Sequence, residues 1–144
     1  MLFRSTNVIM GEKPKLYGSG EQVRDWIHVD DHNAAVVLIL EKGKIGETYL
    51  IGASGERNNK QVIEMILDEM GKDRSGYEHV KDRPGHDMRY AIDSSKLKKE
   101  LGWKPKYVSF EEGLKHTIEW YKDNQEWWKK QKLDTEKKYK QAGH

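Results

Sequence analysis

The hydrophobic and polar positions of this chain follow two periods, which predict helices separated by short strands. Between Asn59 and Gly71 the apolar residues recur at i, i+1, i+4, i+5 and i+8, which is the stripe of an amphipathic helix ending at a glycine. That stripe consists of Val62, Ile63, Ile66, Leu67 and Met70. The segment DDHNAAVVLILEKG (30–43) opens on two acidic residues suited to helix capping and closes on a glycine, which predicts a buried helix.

Shorter apolar runs predict the strands. KPKLYGSGEQVRDWIHV (13–29) indicates two short strands on either side of a glycine-rich turn, and SGYEHV (75–80) indicates another. GETYLIG (46–52) predicts a strand with Tyr49 and Ile51 on one face.

Capping signals mark two more helices. SSKLKKEL (94–101) follows Asp93 and stops at Gly102, with either Asp93 or Ser94 as its cap. Ser109 and Glu112 form a capping box for a helix that continues to Tyr121. Because strands alternate with helices, the predicted class is α/β, in an α+β-like arrangement with too few and too short elements for a complete doubly wound sheet.

Composition narrows the classes of function. The chain of 144 residues contains no cysteine, which excludes disulfides, Cys-ligated zinc and a thiol nucleophile, and suits a cytoplasmic location. The 26 basic and 24 acidic residues leave a net charge of +2, which gives no reason to expect binding to nucleic acid or to a membrane. No apolar run is long enough to span a bilayer.

The composition also suggests segment boundaries. Residues 1–12 resemble the last turns of a helix that begins further upstream, 13–123 carry the strands and helices described above, and 124–144 are polar and rich in Lys and Trp. We interpret the last segment as a terminal helix or tail whose Trp127 and Trp128 dock on the body, in preference to a nucleic-acid contact.

Three motifs suggest chemistry but lack the context that the chemistry needs. GSGEQV (18–23) begins like a dinucleotide-binding loop, yet a strand follows it instead of a helix. Tyr77 and Lys81 have the spacing of a catalytic Tyr-x-x-x-Lys pair, but in a strand they would lie roughly 13 Å apart. His28 and His32 flank two aspartates, but a strand end followed by a helix start would separate them, so we expect no metal site.

The stretch DRPGHDMRYAID (82–93) concentrates polar groups at one turn. Pro84 and Gly85 suit the central positions of a type II turn, which would place Arg83 and His86 side by side with free backbone amides. Arg24, directly after the glycine-rich turn, has a guanidinium that can bind a phosphate or a carboxylate in a bidentate manner. Together these groups predict an anion-binding site.

At this point the residues resemble a known family. DRPGHDMRYAID, with YGSGEQVRDWIHVDDH, GETYLIG, NNK and ELGWKP, is similar to the C-terminal part of the dTDP-glucose 4,6-dehydratases, which are extended short-chain dehydrogenases/reductases. The resemblance runs from about residue 5 to 123. It implies an NAD-dependent hydro-lyase of dTDP-rhamnose biosynthesis that converts dTDP-glucose to the 4-keto-6-deoxy sugar through a transient ketone at C4.

The resemblance also implies roles for particular positions. Lys15, Leu16 and Tyr17 match the segment that lines the thymidine site, Arg24 matches an arginine that binds the diphosphate, and Asn59 matches a substrate-contacting asparagine. A loop that closes over the nucleotide matches Asp82, Arg83, Pro84, Gly85 and His86.

The family's cofactor loop, its true Tyr-x-x-x-Lys pair and its acid/base cluster do not occur in these 144 residues. We therefore expect a substrate-binding C-terminal piece without the Rossmann half, with no catalytic or NAD-binding residue and no activity alone. The family forms homodimers through helices of the other half, so we expect no native dimer here. Two alternatives stay open: a piece of another extended dehydrogenase acting on a nucleotide sugar, such as a UDP-glucose 4-epimerase, and a non-catalytic nucleotide-sugar-binding module.

Overall fold

The computed structural model describes residues 2–82 and 84–141, which form a mixed α/β structure of short strands and helices. The helices are α1 (Leu2–Ile9), α2 (Val29–Lys42), α3 (Asn59–Glu69), α4 (Ser95–Leu101), α5 (Phe110–Asp123) and α6 (Gln125–Gln141). The strands are β1 (Lys15–Tyr17), β2 (Val23–Asp25), β3 (Glu56–Asn58) and β4 (Glu78–Val80).

The strands pair in two separate two-stranded sheets. β1 lies parallel to β4, with Leu16 opposite His79, and β2 lies antiparallel to β3, with Arg24 opposite Arg57. The two strands predicted around the glycine-rich turn therefore exist, but each pairs with a partner from later in the chain. Met88 and Tyr90 extend the second sheet, because Val23 accepts from the Tyr90 amide at 3.1 Å and donates to the Met88 carbonyl at 2.8 Å.

Helix α3 is the centre of the larger hydrophobic core. The prediction of its apolar stripe is confirmed, since four of the five residues are at most 2% exposed, and Met70 ends the helix as its half-buried C-cap. α1, β1 and α5 cover this stripe and complete the core with Val8, Leu16, Leu114 and Ile118. A smaller core joins α2 to α4 through Ala35, Leu97 and Trp103.

The helix predicted from residue 30 is present as α2, but the expectation that it is buried is wrong. Only Asp31 and Ala35 are buried along it, whereas Val37 is 52% and Leu40 81% exposed. The helix packs one face on α4, and the described residues place nothing over the opposite face. Its apolar composition therefore reflects a surface that this chain leaves uncovered.

The strand predicted at 46–52 does not form. Tyr49 and Ile51 pack on the smaller core while Leu50 points outward, so the expected alternation of faces is present. A strand also needs a hydrogen-bonded neighbour, and the part of the chain that the structure describes provides none beside this segment.

Capping of α2 differs from the sequence-based expectation. His28 is the N-cap, and its side chain accepts from the Asp30 amide. Asp31 instead faces inward and accepts hydrogen bonds from the amides of Lys106 at 2.6 Å and Tyr107 at 3.1 Å. The second prediction, of a Ser109 cap on α5, is confirmed, since its hydroxyl accepts from the Glu112 amide.

The Lys- and Trp-rich segment forms α6, and its two tryptophans differ. Trp128 is 2% exposed and donates from its indole nitrogen to the Tyr121 carbonyl at 2.8 Å, whereas Trp127 is 61% exposed. Lys132 is also buried and forms ion pairs with Glu12 and Glu136. The expectation that both tryptophans dock is therefore correct for one of them. Across the described residues, we find no helix with the length and apolar character of a membrane span.

Candidate functional site

The candidate site lies where the loop after β4 folds back on the turn between β1 and β2. Parallel pairing of β1 with β4 brings the ends of both strands to the same edge, so the Gly18 amide donates to the Val80 carbonyl at 3.0 Å. The His79 ring then lies 3.1 Å from the Gly18 carbonyl. Residues 18–22 and 82–90, far apart in sequence, thus form one surface.

Asp82 connects the two segments. One carboxylate oxygen accepts from the Gln22 side-chain amide at 2.7 Å, and the other lies 2.7 Å from Nδ1 of His86. An ionised carboxylate only accepts, so Nδ1 of His86 carries the proton in this bond and Nε2 stays available to a ligand. The side chain of His86 is 9% exposed, which fixes the ring against the turn.

Arg24, on β2, contacts the other end of the same loop. Its guanidinium donates to the Asp87 carbonyl at 2.8 Å and to its neighbour Val23 at 2.6 Å, and it lies 4.4 Å above the Tyr90 ring centroid. A guanidinium has five N–H donors, and these bonds use two of them. Arg24 therefore keeps donors that an anion at this loop can accept.

Asp87 and Tyr90 complete this end of the loop. The Tyr90 hydroxyl donates to the Asp87 carboxylate, and this bond raises the pKa of the phenol because the ionised form would face a carboxylate. Tyr90 is therefore a neutral hydrogen-bonding group at this position and not a candidate base.

The β1 residues differ in what they can present. Lys15 is exposed and Tyr17 half-buried, whereas Leu16 is fully buried in the larger core. A ligand at this strand could meet the side chains of Lys15 and Tyr17, but only the backbone of Leu16.

Asn59 is joined to the site indirectly. It is the first residue of α3 and 7% exposed, its amide nitrogen donates to the Gln22 carbonyl at 3.1 Å, and its side-chain oxygen accepts from Arg4 at 3.0 Å. The structure therefore places Asn59 behind Gln22, next to α1, and not among the loop residues.

The turn in the loop is partly described. Pro84 and Gly85 are exposed, and Gly85 has a φ of 67°, the positive value that the type II turn requires. Arg83, which the sequence pairs with His86, lies outside the described residues.

Three residues of this site escaped the sequence-based prediction: Gln22, Asp87 and Tyr90. Gln22 is 2% exposed, and its side-chain oxygen is buried without a hydrogen-bond partner among the described residues. The signal available in the sequence was the polar Gln22 between the glycine turn and Val23, but its partner Asp82 lies 60 positions away.

The glycine-rich turn does not fit a dinucleotide. A Cβ at Gly18 would lie 2.6 Å from the Asp82 carboxylate, so the turn packs on its own chain and leaves no room there for a pyrophosphate. A strand, β2, follows the turn, and the first amides of α3 are already used by the turn itself, since the Lys60 amide donates to the Gly20 carbonyl at 3.0 Å. We therefore assign no NAD contact to this turn.

Comparison with known proteins gives consistent results. Residues 4–117 match the family described as GDP-mannose 4,6 dehydratase. A dTDP-glucose 4,6-dehydratase of Mycolicibacterium smegmatis is 58% identical over 138 residues, which cover 96% of this chain and 42% of that protein.

Two solved structures have a closely similar fold. A dTDP-glucose 4,6-dehydratase from Bacillus anthracis, in complex with NAD, matches with a TM-score of 0.82 and 48% identity over 88% of this chain and 40% of its own. One from Streptomyces venezuelae, with NAD and TYD bound, matches with a TM-score of 0.81 and 43% identity over 87% of this chain and 38% of its own.

These matches confirm the family that the loop and turn motifs indicated, while the chain spans about two fifths of the length of the relatives it matches. The mixed α/β class is confirmed as part of the dehydratase fold. The chain belongs to the dTDP-glucose 4,6-dehydratase family of extended short-chain dehydrogenases/reductases.

Proposed function

We propose that this chain is the nucleotide-sugar-binding C-terminal part of a dTDP-glucose 4,6-dehydratase, with the anion site formed by Arg24 and the loop 82–90. The observation that carries the proposal is the convergence of Arg24, from β2, on the same loop that Asp82 and His86 hold against the turn after β1. A guanidinium that keeps free donors beside a loop held at both ends suits the diphosphate of a nucleotide sugar.

The two ends of the loop support different parts of a ligand. Arg24, with donors to spare, suits the diphosphate, whereas Nε2 of His86, the acceptor nitrogen of this tautomer, suits a hydroxyl of the ligand. Lys15 and Tyr17, on the adjacent strand, suit the nucleoside. We include Arg83, Pro84 and Gly85 as the part of the loop that covers the ligand. Asn59 supports Gln22 from behind.

We propose further that catalysis belongs to residues outside this chain. The parent enzyme would convert dTDP-glucose to the 4-keto-6-deoxy sugar with NAD, in the cytoplasm, and NAD supplies the temporary oxidation at C4 when bound. The 144 residues alone, mixed with dTDP-glucose and NAD, should give no 4-keto product.

The uncovered apolar surface supports a larger parent protein. Val37, Leu40 and Ile45 are 52%, 81% and 104% exposed, and the unpaired segment 46–52 lies beside the smaller core. Monomers seldom leave such a patch free. We propose that the Rossmann half of the relatives' fold covers this surface and pairs with the segment.

Binding of dTDP to the purified full chain tests the site. Arg24→Ala should weaken the affinity about 10- to 150-fold, the effect of losing one hydrogen bond to a charged group, measured by isothermal titration calorimetry. Arg74→Ala is the matched control, because Arg74 is an exposed guanidinium paired with Asp68. An affinity that Arg24→Ala leaves unchanged would reject the proposed site.

A further inference from the structure

Two histidines from distant parts of the chain meet away from the loop site. Nε2 of His28, the N-cap of α2, lies 3.3 Å from Nδ1 of His116 on α5. Their ring centroids are 5.2 Å apart and the ring planes are inclined at 63°. The sequence-based expectation of no metal site concerned the pair His28 and His32. The structure instead places His28 beside His116, which is 88 positions away.

The geometry of this pair is that of two imidazoles around one metal ion. Two nitrogens bound to a tetrahedral Zn²⁺ at roughly 2.0–2.1 Å lie about 3.3 Å apart, and their ring centroids about 5.2 Å apart. A straight hydrogen bond of the same length would separate the centroids by about 5.6 Å. The observed 3.3 Å and 5.2 Å equal the distances expected for two imidazoles on one ion, and a bent hydrogen bond would give the same two distances.

Asp30 lies where a metal-bound His28 needs a partner. In the described state, Nδ1 of His28 accepts from the Asp30 amide at 3.2 Å, so Nε2 carries the proton. Binding of a metal to Nε2 moves that proton to Nδ1, which then no longer accepts from the Asp30 amide and donates instead to the Asp30 carboxylate, now 3.7 Å away. Carboxylates commonly orient metal-binding histidines in this way.

The surroundings hold His28 in one orientation. Its side chain is 6% exposed and packs on the Tyr107 ring at a centroid distance of 4.0 Å. His116 is exposed, which leaves the remaining coordination positions open to water.

We propose that His28 and His116 bind one divalent first-row transition-metal ion. The Asp30 carboxylate then accepts a hydrogen bond from Nδ1 of His28, and the ion links the start of α2 to α5. The nitrogen ligands and the open positions suit Zn²⁺, Cu²⁺ or Ni²⁺, whereas Mg²⁺ and Ca²⁺ prefer oxygen ligands. This inference is independent of the proposed nucleotide-sugar site.

The test titrates Zn²⁺ into the tag-free, metal-stripped full chain by calorimetry. We expect one site, an affinity that His116→Ala lowers more than about tenfold, and a smaller loss for Asp30→Asn. His32→Ala is the matched control, because His32 is an exposed histidine on the same helix, and it should bind as the unchanged chain does. Long-range ¹H–¹⁵N correlation spectra should show the His28 and His116 nitrogens shifting with zinc.

The outcomes separate cleanly. Absence of zinc binding by the folded chain, shown by circular dichroism, would mean that the histidines form only a hydrogen-bonded pair and would overturn the proposal. Equal binding by His116→Ala, or a loss with His32→Ala as large as with His116→Ala, would place the ion elsewhere and would also overturn it. Mg²⁺ in place of Zn²⁺ should leave the histidine spectra unchanged.

Discussion

Replacing Asp31 should lower the free energy of unfolding more than replacing an exposed acid in the same helical turn, because Asp31 is buried. Asp31 is 2% exposed and accepts from the Lys106 and Tyr107 amides at 2.6 and 3.1 Å, across 75 and 76 positions of sequence. Asp31→Ala removes both acceptors and leaves two amides without these bonds. Hydrogen bonds to charged groups contribute about 1.5–3 kcal/mol each, so for two bonds we expect a loss of roughly 3–6 kcal/mol.

Asp30→Ala is the matched control. Both aspartates lie in the first turn of α2 and interact favourably with the helix dipole, an effect of about 0.3–1 kcal/mol. The Asp30 side chain is 55% exposed, so its removal should cost no more than this dipole term. The difference between the two variants therefore measures the buried bonds.

Urea unfolding followed by far-UV circular dichroism gives the free energies. A loss of roughly 3–6 kcal/mol is a large part of the about 5–15 kcal/mol by which a typical domain is stable, so Asp31→Ala should be partly unfolded at 37 °C. Equal unfolding midpoints for Asp31→Ala and Asp30→Ala would refute the structural role assigned to the 106–107 contact.

Three further changes test the packing. Trp128→Ala should destabilise the chain by about 3–5 kcal/mol, whereas Trp127→Ala, which loses an edge-on contact with Trp120, should cost about 0.5–1.5 kcal/mol; equal thermal shifts would contradict the docking of α6. Lys132→Ala should lower the melting temperature, because two glutamates lose a buried partner, and a calorimetric scan with no shift would contradict that ion-pair role. The double substitution Val37→Lys and Leu40→Lys should lower the average particle mass measured by light scattering without weakening dTDP binding. An unchanged particle mass would mean that the apolar face of α2 does not mediate self-association.

Local periodicity explains what the sequence could predict. The α3 stripe repeats within 13 residues, and its burial follows from its own spacing once any apolar surface lies opposite. The Ser109 cap and the positive φ of Gly102 after α4 are equally local, because each depends on residues within one helical turn. These features were therefore predictable without knowledge of the fold.

Burial and strand pairing depend on partners that local patterns do not identify. α2 is as apolar as a buried helix, yet much of its apolar surface is exposed. Its composition indicates that the helix packs against a partner, but it does not show whether the described residues include that partner. The 46–52 segment has a strand's alternation but no neighbour among the described residues. The pairing of β1 with β4, across 63 positions between Leu16 and His79, was equally out of reach.

The candidate site shows the same division. The polar density of residues 82–93 indicated an anion site because the residue types alone carry that chemistry. Its geometry depends on contacts such as Gln22 with Asp82 and Arg24 with the Asp87 carbonyl, which span 60 and 63 positions. The resemblance assigned Asn59 a substrate contact, but Asn59 lies behind Gln22 and supports it. Residues matched to a family motif can therefore support the site without facing the ligand.

The shape of the loop 82–90 depends on backbone hydrogen bonds to β2, which its composition does not predict. Val23 bonds to Met88 and Tyr90 while β2 pairs with β3, so Arg89 forms a single parallel bridge to the strand. This pairing sets the register that brings the Asp87 carbonyl to Arg24 and the Tyr90 ring beneath its guanidinium. Since these contacts fix the Arg24 side chain, ligand binding costs less conformational entropy than it would with a freely rotating arginine. Within residues 82–93, the Asp87 carbonyl and the Tyr90 ring thus position the arginine, and its remaining donors are available to an anion.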